Sequence, residues 1–296
     1  MKVMITGASG QLGVTLADRI DGKHEVIALA SSELDISDRL SVGREFIRIA
    51  PDVVVNAAAF TAVDLAESEF ESASNVNHIG VDNLSRECLR HDCRLIHVST
   101  DFVFSGKQSV PYTVESDCDP QGVYGKTKRD GELAVLSCLP KTGIVIRTAW
   151  LYSPFGKNFV KTMLKIMTSR TELNVVCDQL GTPTSTASLA DLIVCIINNE
   201  DSSGGILHWT DAGVASWYDF AVAIYEESKA IGLLDNDIVI NPVPTSEYPT
   251  PAKRPFYSVL DKSESYSRYG MPAVHWRIEL RKVLLKISQE SKGEWS

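Results

Sequence analysis

The sequence has no run of basic residues and no long apolar run. Its 296 residues include 38 acidic and 29 basic side chains, which gives a formal net charge of −9. Because a phosphate backbone favours a basic protein surface, this balance argues against a nucleic-acid binder. No stretch approaches the roughly 20 apolar residues that cross a bilayer, and the apolar run at residues 3–5 is too short for a secretion signal. We therefore expect a cytoplasmic protein without nucleic-acid or membrane partners.

Cysteine motifs are also missing. The six cysteines are scattered, form no C-x-x-C pair, and do not combine with histidine at the spacing of a zinc site. In a chain of this length such cysteines are expected to be reduced thiols, most of them in the core. The sequence therefore predicts no metal site, and its length suits one large domain or two modest ones.

The first half alternates short apolar runs with longer mixed segments. Runs that are apolar throughout are typical of strands buried on both faces, and strand–helix alternation indicates a parallel sheet with right-handed crossovers. The predicted fold is α/β, a Rossmann-type doubly wound parallel sheet. The predicted strands are 2–6, 25–30, 52–56, 94–99 and 143–149, and the predicted helices are 11–20, 37–50 (capped by Ser37), 68–90 and 123–138.

The pattern is less regular after residue 150. A proline-rich stretch at 241–255 is incompatible with a helix or an inner strand. We predict a dinucleotide-binding domain at 1–150 and a smaller C-terminal α/β substrate-binding domain at 151–296, with segments near 173–210 returning to the first. The predicted helices of this half are 158–169, 186–198, 217–231 and 275–289, with a late strand at 206–209.

A glycine loop, TGASGQLG at 6–13, separates the first strand from the first helix. Gly7, Gly10 and Gly13 let the backbone approach a pyrophosphate, and the following helix N-terminus, with Gln11 and Leu12, supplies N–H groups and a positive dipole. The pattern is weak alone but stronger in this strand–loop–helix context. The alternative is a glycine turn without a ligand. We predict a nicotinamide dinucleotide here.

Three alanines follow the third predicted strand. Ala57, Ala58 and Ala59 are small enough to let a flat cofactor ring or ribose lie against the backbone. Tight helix–sheet packing would also favour alanine. Because ligands bind at the carboxyl ends of strands in open α/β sheets, we assign these residues to the cofactor site.

Polar residues at the end of the fourth strand and a Y-x-x-x-K pair form the catalytic candidate. Thr100 and Asp101 lie at the sheet edge, and Tyr124 and Lys128 lie on one helix face. A reductase must give a proton to the carbonyl oxygen that receives a hydride. A charged Lys128 would lower the pKa of Tyr124 from about 10 towards neutrality, and Thr100 would bind the same oxygen. Tyr124 and Lys128 are also assigned to the cofactor site, where Lys128 can donate to the nicotinamide ribose. The alternative is a surface i,i+4 pair.

Together these segments resemble the extended short-chain dehydrogenase/reductases, and among them the dTDP-4-dehydrorhamnose reductase (RmlD-type) family. The resemblance implies the triad Thr100, Tyr124 and Lys128, and places Asp101 and Trp150 near the sugar. It also implies reduction of dTDP-4-dehydro-β-L-rhamnose to dTDP-L-rhamnose with NAD(P)H. The matching segments are TGASGQLG, LDIS, PDVVVNAAAFTAVDLAESE, HVSTDFVFSG, VYGKTKRDGE, RTAWLY, DQLGTPT, VPTSEYPTPAKRP and SVLD.

The coenzyme phosphate depends on the end of the second predicted strand. No acid stands at residues 30–32 to hold the adenosine ribose, which slightly favours NADPH over NADH. The family resemblance places Asp35 and Ile36 near the adenine. An N-terminal helix cap is a competing interpretation of Asp35.

Two further residues are substrate candidates on their own chemistry. Trp150 follows the fifth strand, where an indole face suits the apolar side of a deoxysugar, although core packing explains it equally well. Arg254 lies among prolines and could bind the diphosphate, because a guanidinium fork matches phosphate geometry. A solvent-facing loop cation is the alternative.

The sequence also departs from the family pattern. Some family members form Mg²⁺-bridged dimers through acidic residues, but the corresponding positions here are Thr15 and Ala187. We therefore expect no Mg²⁺ requirement and a monomer or weak homodimer. Phe60 follows the three alanines where many members carry a polar residue or histidine, which leaves fine substrate preference open.

Two other functions remain open at this point. One is a nucleotide-sugar epimerase, or a reductase of another nucleotide 4-keto sugar. The other is a non-catalytic subunit, because the regulatory β subunit of methionine adenosyltransferase resembles this fold and also keeps Y-x-x-x-K. The W-L-Y and PTPAKRP segments favour the reductase.

Overall fold

The computed structural model describes residues 1–20, 22–199, 203–272 and 274–293. The strands are β1 (Lys2–Thr6), β2 (Glu25–Leu29), β3 (Val53–Asn56), β4 (Arg94–Thr100), β5 (Gly143–Thr148), β6 (Leu151–Tyr152), β7 (Glu172–Val176), β8 (Leu180–Gly181), β9 (Thr184–Ser185), β10 (Gly205–His208), β11 (Ala215–Ser216) and β12 (Val239–Val243). The helices are α1 (Gln11–Arg19), α2 (Arg39–Ile49), α3 (Val63–Ala66), α4 (Phe70–Ser74), α5 (Gly80–Arg90), α6 (Val123–Cys138), α7 (Phe159–Met167), α8 (Thr186–Asn198), α9 (Trp217–Ala230), α10 (Ser263–Tyr269) and α11 (Trp276–Gly293).

The central sheet has six parallel strands in the order β10-β5-β4-β3-β1-β2. Successive side chains of a strand point to opposite faces, so Val3 and Ile5 pack under α1 and α8 while Met4 packs under α2 and α5. All residues of β3 and β5 are buried, as expected for strands covered on both sides. The predicted doubly wound α/β fold is confirmed.

The second half has its own apolar core. Residues of α7, α9 and α11, among them Val160, Phe220 and Leu280, pack beside a small parallel sheet of β7 and β12. Neither strand was predicted from the sequence. Pro242 lies within β12, and a two-stranded sheet has only edge strands, so the proline does not interrupt an inner ladder. The late predicted strand is β10, at the edge of the main sheet.

The predicted helix at 68–90 is interrupted. The chain forms α4, then a π-helical turn (Asn75–Ile79), then α5. In the turn, the amide of Asn77 binds both backbone groups of Phe60, at 2.8 and 3.1 Å. A π turn inserts an extra residue into a helix and is common at functional sites. Here the side chain of Asn77 fixes the loop that follows β3.

The predicted cap of the second helix is wrong. The helix begins at Arg39, and the carboxylate of Asp38 accepts the N–H of Leu40. Ser37 instead donates its N–H and its hydroxyl to Asp35. In the described ranges no helix is long and apolar enough to span a membrane.

Candidate active site

The candidate site lies where the central strands end. Thr6 pairs with Asn56 in register, Asn56 with His97, and Thr100 with Thr148. The carboxyl ends of parallel strands meet at one edge of a sheet, where open α/β folds bind ligands. The loop after β1, the loop after β3 and the start of α6 all contribute to this edge.

The glycine loop is tightly closed by the backbone around it. Gly7 has φ +71°, and a Cβ there would lie 2.7 Å from the amide nitrogen of Ala58. A Cβ on Gly13 would lie 2.3 Å from the carbonyl oxygen of Gly7. No side chain caps α1, so its first N–H groups face the loop. The residues present therefore fit a dinucleotide pyrophosphate, which such a helix N-terminus binds.

The side chains of two predicted cofactor residues, Gln11 and Leu12, make contacts within the protein. Leu12 is buried in the core beneath the sheet. Gln11 accepts hydrogen bonds from the hydroxyl of Ser153 and the amide of Asn158, both at 2.9 Å. Gln11 thus connects the glycine loop to the turn before α7. Sequence reasoning missed Ser153 and Asn158, because nothing local in the chain relates them to residue 11.

Asp35 and Ile36 are also held by protein contacts. The carboxylate of Asp35 binds Ser37, and the side chain of Ile36 is buried in the core, where a Cβ on Gly80 would lie 2.6 Å from it. Glu33 accepts the N–H of Ala30 at 2.8 Å. The acids that follow β2 therefore bind local backbone and hydroxyl groups in this structure.

Thr100 and Tyr124 come together because of a glycine. The Thr100 hydroxyl donates to Asp101 at 3.1 Å and accepts the N–H of Phe102. The ring of Phe102 packs edge-on against Tyr124, with 5.5 Å between centroids. A Cβ on Gly125 would lie 2.2 Å from the carbonyl oxygen of Phe102, so only glycine allows α6 this close to the end of β4. Gly125 was not singled out from the sequence.

Burial acts on the pKa of Tyr124 in the direction opposite to the expected tuning by Lys128. Burial raises the pKa of Tyr124 to about 12, a hydrogen bond from Thr100 acts against this, and the charge of Asp101 adds to it. The Nζ atom of Lys128 donates to the carbonyl oxygen of Val98 at 2.7 Å. Burial lowers the pKa of Lys128 to about 8, although the nearby charge of Glu132 opposes it.

Two polar side chains at this edge retain unused hydrogen-bonding capacity. Within the described chain, Oδ2 of Asp101 and Oγ1 of Thr148 are buried without a hydrogen-bond partner. Burial raises the pKa of Asp101 to about 6, and hydrogen bonds from Ser258 and Thr100 act against it. Buried polar atoms are costly unless they are satisfied, so both atoms are suited to a polar ligand.

A buried ion pair between Arg147 and Glu132 lies next to the end of β4. Arg147 of β5 donates to both carboxylate oxygens of Glu132, at 2.9 and 2.8 Å, and Ser99 donates to the same carboxylate at 2.6 Å. These hydrogen bonds hold the pKa of Glu132 below its usual range even though burial acts to raise it. The pair joins α6, which carries Tyr124, to two strands. Sequence reasoning missed it.

Trp150 is part of an aromatic stack. Its indole lies against that of Trp217, with 3.5 Å between centroids and 6° between planes. A Cβ on Gly181 would lie 2.7 Å from the indole ring of Trp150. Trp150 is half-buried and has φ +48°, and Trp217 lines a cavity of about 850 Å³. Sequence reasoning found Trp150 but neither of these partners.

Arg254 lines the same cavity and is paired. Its guanidinium donates to both carboxylate oxygens of Asp64, at 3.1 and 2.8 Å, and Asp64 also accepts the N–H of Ala252. The hydrogen bond from Arg254 lowers the pKa of Asp64. The proline-rich segment is thereby held against α3, the short helix that follows β3.

The positions considered for a metal carry no acid. The hydroxyl of Thr15 lies 2.8 Å from that of Thr186, one residue before Ala187, where α1 packs on α8. Across the described ranges, no three His, Cys, Asp or Glu side chains come together as possible metal ligands.

Comparisons with known proteins agree on one family. A family model described as RmlD substrate binding domain matches residues 1–289. The chain is 41% identical over 288 residues to a dTDP-4-dehydrorhamnose reductase of Aggregatibacter actinomycetemcomitans, with 95% of this chain and 98% of that protein covered. A reductase of the same name from Clostridium acetobutylicum has a solved structure with TM-score 0.91 and 39% identity, covering 97% and 100% of the two chains. Another, from Bacillus anthracis in complex with NADP, has TM-score 0.91 and 31% identity, covering 96% and 99%.

Proposed function

The chain belongs to the RmlD substrate binding domain family, and we propose that the sheet edge described above is the active site of a dTDP-4-dehydrorhamnose reductase. The reaction is the NAD(P)H-dependent reduction of the 4-keto group of dTDP-4-dehydro-β-L-rhamnose to dTDP-L-rhamnose. The observation that carries the proposal is that Thr100 and Tyr124 lie at the same edge of the sheet as a glycine loop that fits a dinucleotide.

The coenzyme supplies a hydride when it is bound. Gly7, Gly10 and Gly13 would hold its pyrophosphate, because their lack of side chains exposes the N–H groups at the start of α1. Ala57 and Ala58 lie next to this loop. The absence of an acid at residues 30–32 and the NADP complex of the Bacillus anthracis relative both support a preference for NADPH.

We assign the proton to Tyr124. A phenol with a pKa of about 12 is fully protonated at neutral pH, so it holds the proton that the carbonyl oxygen needs. The hydroxyl of Thr100, at the same edge, would turn its single hydrogen from Asp101 to that oxygen. Lys128 lies one helical turn after Tyr124 and is the cation available to stabilise the phenolate that remains.

The substrate residues are proposed from burial and contact. Asp101 and Thr148 offer buried oxygens to sugar hydroxyls, and Trp150 offers the exposed part of its half-buried indole. Arg254 would share its guanidinium between Asp64 and the diphosphate. The volume of about 850 Å³ beside Trp217 and Arg254 falls in the range of small-molecule sites and accommodates a nucleotide.

We also propose how the chain divides. Residues 1–150 together with α8 and β10 would hold the coenzyme, because both elements pack on the main sheet. The remainder would hold most of the sugar nucleotide. We propose that the protein works in the cytoplasm as a monomer or weak homodimer.

The decisive experiment measures consumption of NADPH and of NADH with dTDP-4-dehydrorhamnose, with the product identified by NMR. We expect stoichiometric oxidation of the coenzyme and formation of dTDP-L-rhamnose. An epimerase would convert the sugar without net coenzyme oxidation. A regulatory subunit would bind coenzyme and convert nothing, and either result would contradict the proposal.

A further inference from the structure

A row of buried polar side chains runs along the sheet edge from the glycine loop to Lys128. Thr6 donates to Asn56 at 2.7 Å, Asn56 lies 3.0 Å from Nδ1 of His97, and Nε2 of His97 lies 3.4 Å from Nζ of Lys128. All four side chains are at most 1% exposed. Buried polar networks need every donor matched to an acceptor, so the direction of each hydrogen bond can be worked out.

The orientation of the Asn56 amide follows from a backbone group. The N–H of Ala58 can only donate, and it lies 3.1 Å from Oδ1 of Asn56. The hydroxyl of Thr6 donates to the same oxygen. The amide NH₂ of Asn56 therefore faces His97 and donates to its Nδ1 atom.

The tautomer of His97 follows in turn. Burial lowers the pKa of His97 well below its usual value, and the charge of Lys128 lowers it further, so the ring is neutral. Because Nδ1 accepts from Asn56, the ring hydrogen is on Nε2 and points at Nζ of Lys128. Nζ meanwhile donates to the carbonyl of Val98. An ammonium here would place its own N–H groups against the imidazole N–H, two donors with no acceptor between them, whereas an amine lone pair accepts that N–H.

We propose that Asn56 and His97 are positioning residues that present an imidazole N–H to Nζ of Lys128 and so weaken its hold on its proton, while Nζ lies on the carbonyl of Val98. Lys128 then takes up and releases a proton near neutral pH instead of carrying a permanent charge. The carboxylate of Glu132, on the same helix, is the nearby charge that favours the ammonium. The proposal deepens the proposed function, since it rests on Lys128 serving Tyr124.

The test is an NMR titration of Lys128 in protein labelled with ¹³Cε and ¹⁵Nζ lysine, with the resonance assigned by its loss in Lys128→Met. In the native protein we expect Lys128 to titrate near pH 8. In His97→Gln the amide oxygen can accept from the ammonium, so the titration should move upward by about one pH unit, the size of one hydrogen bond to a charged group. Asn56→Asp should move it the same way, because a carboxylate reverses the tautomer of His97.

The matched control is His208→Gln. His208 is also buried and neutral, with burial lowering its pKa to about 4, but it lies against Arg147 and the carbonyl of Tyr112. We expect no change in the Lys128 titration. ¹⁵N-labelled histidine gives a second measurement on the unmodified protein, in which His97 should carry its hydrogen on Nε2.

A hydrogen on Nδ1 of His97, or an unchanged Lys128 titration in folded His97→Gln, would overturn the proposal. Both measurements are made without substrate, so they stand apart from the sugar reduction. If the titration moves and the protein does not reduce the sugar, the positioning role holds and the proposed function fails.

Discussion

At the residue scale, burial has a larger effect than any neighbouring charge on the pKa of the Tyr124 phenol. The phenol is held in its protonated form by its surroundings, and Thr100 is the hydroxyl that binds it. A phenol of this kind is protonated at working pH. Its cost is the phenolate that remains after transfer, which a charge on Lys128 would stabilise.

Replacing Tyr124 by phenylalanine removes one oxygen and keeps the ring that packs on Phe102. We expect the fold and coenzyme binding to survive and kcat to fall about 10²–10⁴-fold, the usual contribution of general acid catalysis. Steady-state reduction of dTDP-4-dehydrorhamnose measures it. Tyr112→Phe is the control, because its buried hydroxyl makes only contacts of 3.4 Å. Near-normal turnover of Tyr124→Phe would exclude the tyrosine as the acid.

Replacing Lys128 by methionine removes the amine but keeps an apolar chain of similar length in its buried position. We expect kcat and coenzyme affinity both to fall, because the stabilising charge and a donor beside the coenzyme are lost. Kinetics and a coenzyme fluorescence titration measure the two effects. Lys126→Met, on the exposed side of the same helix, should change neither. Equal kinetics of the two variants would remove Lys128 from the mechanism.

At the element scale, the three loop glycines differ in why they are needed. Gly7 and Gly13 are required by the fold, since a Cβ at either would lie within 2.7 Å of backbone atoms. Gly10 is exposed, and its Cβ would lie 3.2 Å from the nearest atom outside its neighbours. Its side chain would instead occupy the space in front of α1.

Gly10→Val should therefore lower stability less than a change at Gly13 does and should weaken coenzyme binding, because the isopropyl group blocks the pyrophosphate. Gly13→Ala should lower both. Thermal unfolding and fluorescence titration of NADPH separate the two effects, with Gly22→Ala as a control at a position with nothing within 4 Å. Unchanged coenzyme affinity in Gly10→Val would place the coenzyme elsewhere.

The loop after β10 carries a carboxylate that makes stability depend on pH. Burial raises the pKa of Asp211 to about 7, although hydrogen bonds from Ser188 and the N–H of Ser185 oppose it. The folded state therefore binds this proton more tightly than the unfolded state, whose carboxyl has a pKa of about 3.9. Stability from this group is full below pH about 4 and is lost as pH rises to about 7. The loss is about 4 kcal/mol at most.

Asp211→Asn should remove that dependence, because its amide oxygen can still accept the N–H of Ser185. We expect the variant to gain stability relative to the native protein between pH 5 and pH 8, measured by Tm at both values. Asp237→Asn, at an exposed carboxylate, is the control. A native protein and variant with parallel pH profiles would show that Asp211 is ionised throughout.

At the scale of the whole molecule, the two halves are joined by polar contacts that flank the site. Gln11 holds the turn before α7, and Asp64 holds Arg254. Each contact joins a helix that follows a strand of the main sheet to a segment of the second half.

Assembly is predicted to be independent of metal. The family resemblance places Thr15 and Ala187 where some members carry the acidic residues of an Mg²⁺-bridged dimer, and the hydroxyl of Thr15 meets that of Thr186 instead. Sedimentation velocity and activity should be the same in EDTA and in Mg²⁺. Dissociation of a dimer by EDTA, restored by Mg²⁺, would contradict this.

The sequence by itself determined the sheet, the glycine loop and the catalytic tyrosine candidate. These depend on local rules: apolar runs for buried strands, glycine where the backbone turns, and four-residue spacing for one helix face. The short strands β7 and β12 were not predicted, because they pair between segments that are distant in the chain. The π turn was not predicted, because Asn77 hydrogen-bonds to Phe60, which lies 17 residues earlier in the chain.

Only the tertiary structure decided the protonation of the site. The spacing of Tyr124 and Lys128 predicted their shared face but not that Nζ would lie on Val98, nor that Asn56 and His97 would adjoin it. A pKa depends on burial and on partners from other strands, and neither is a property of local sequence. The same holds for Arg254, whose partner Asp64 lies 190 residues away.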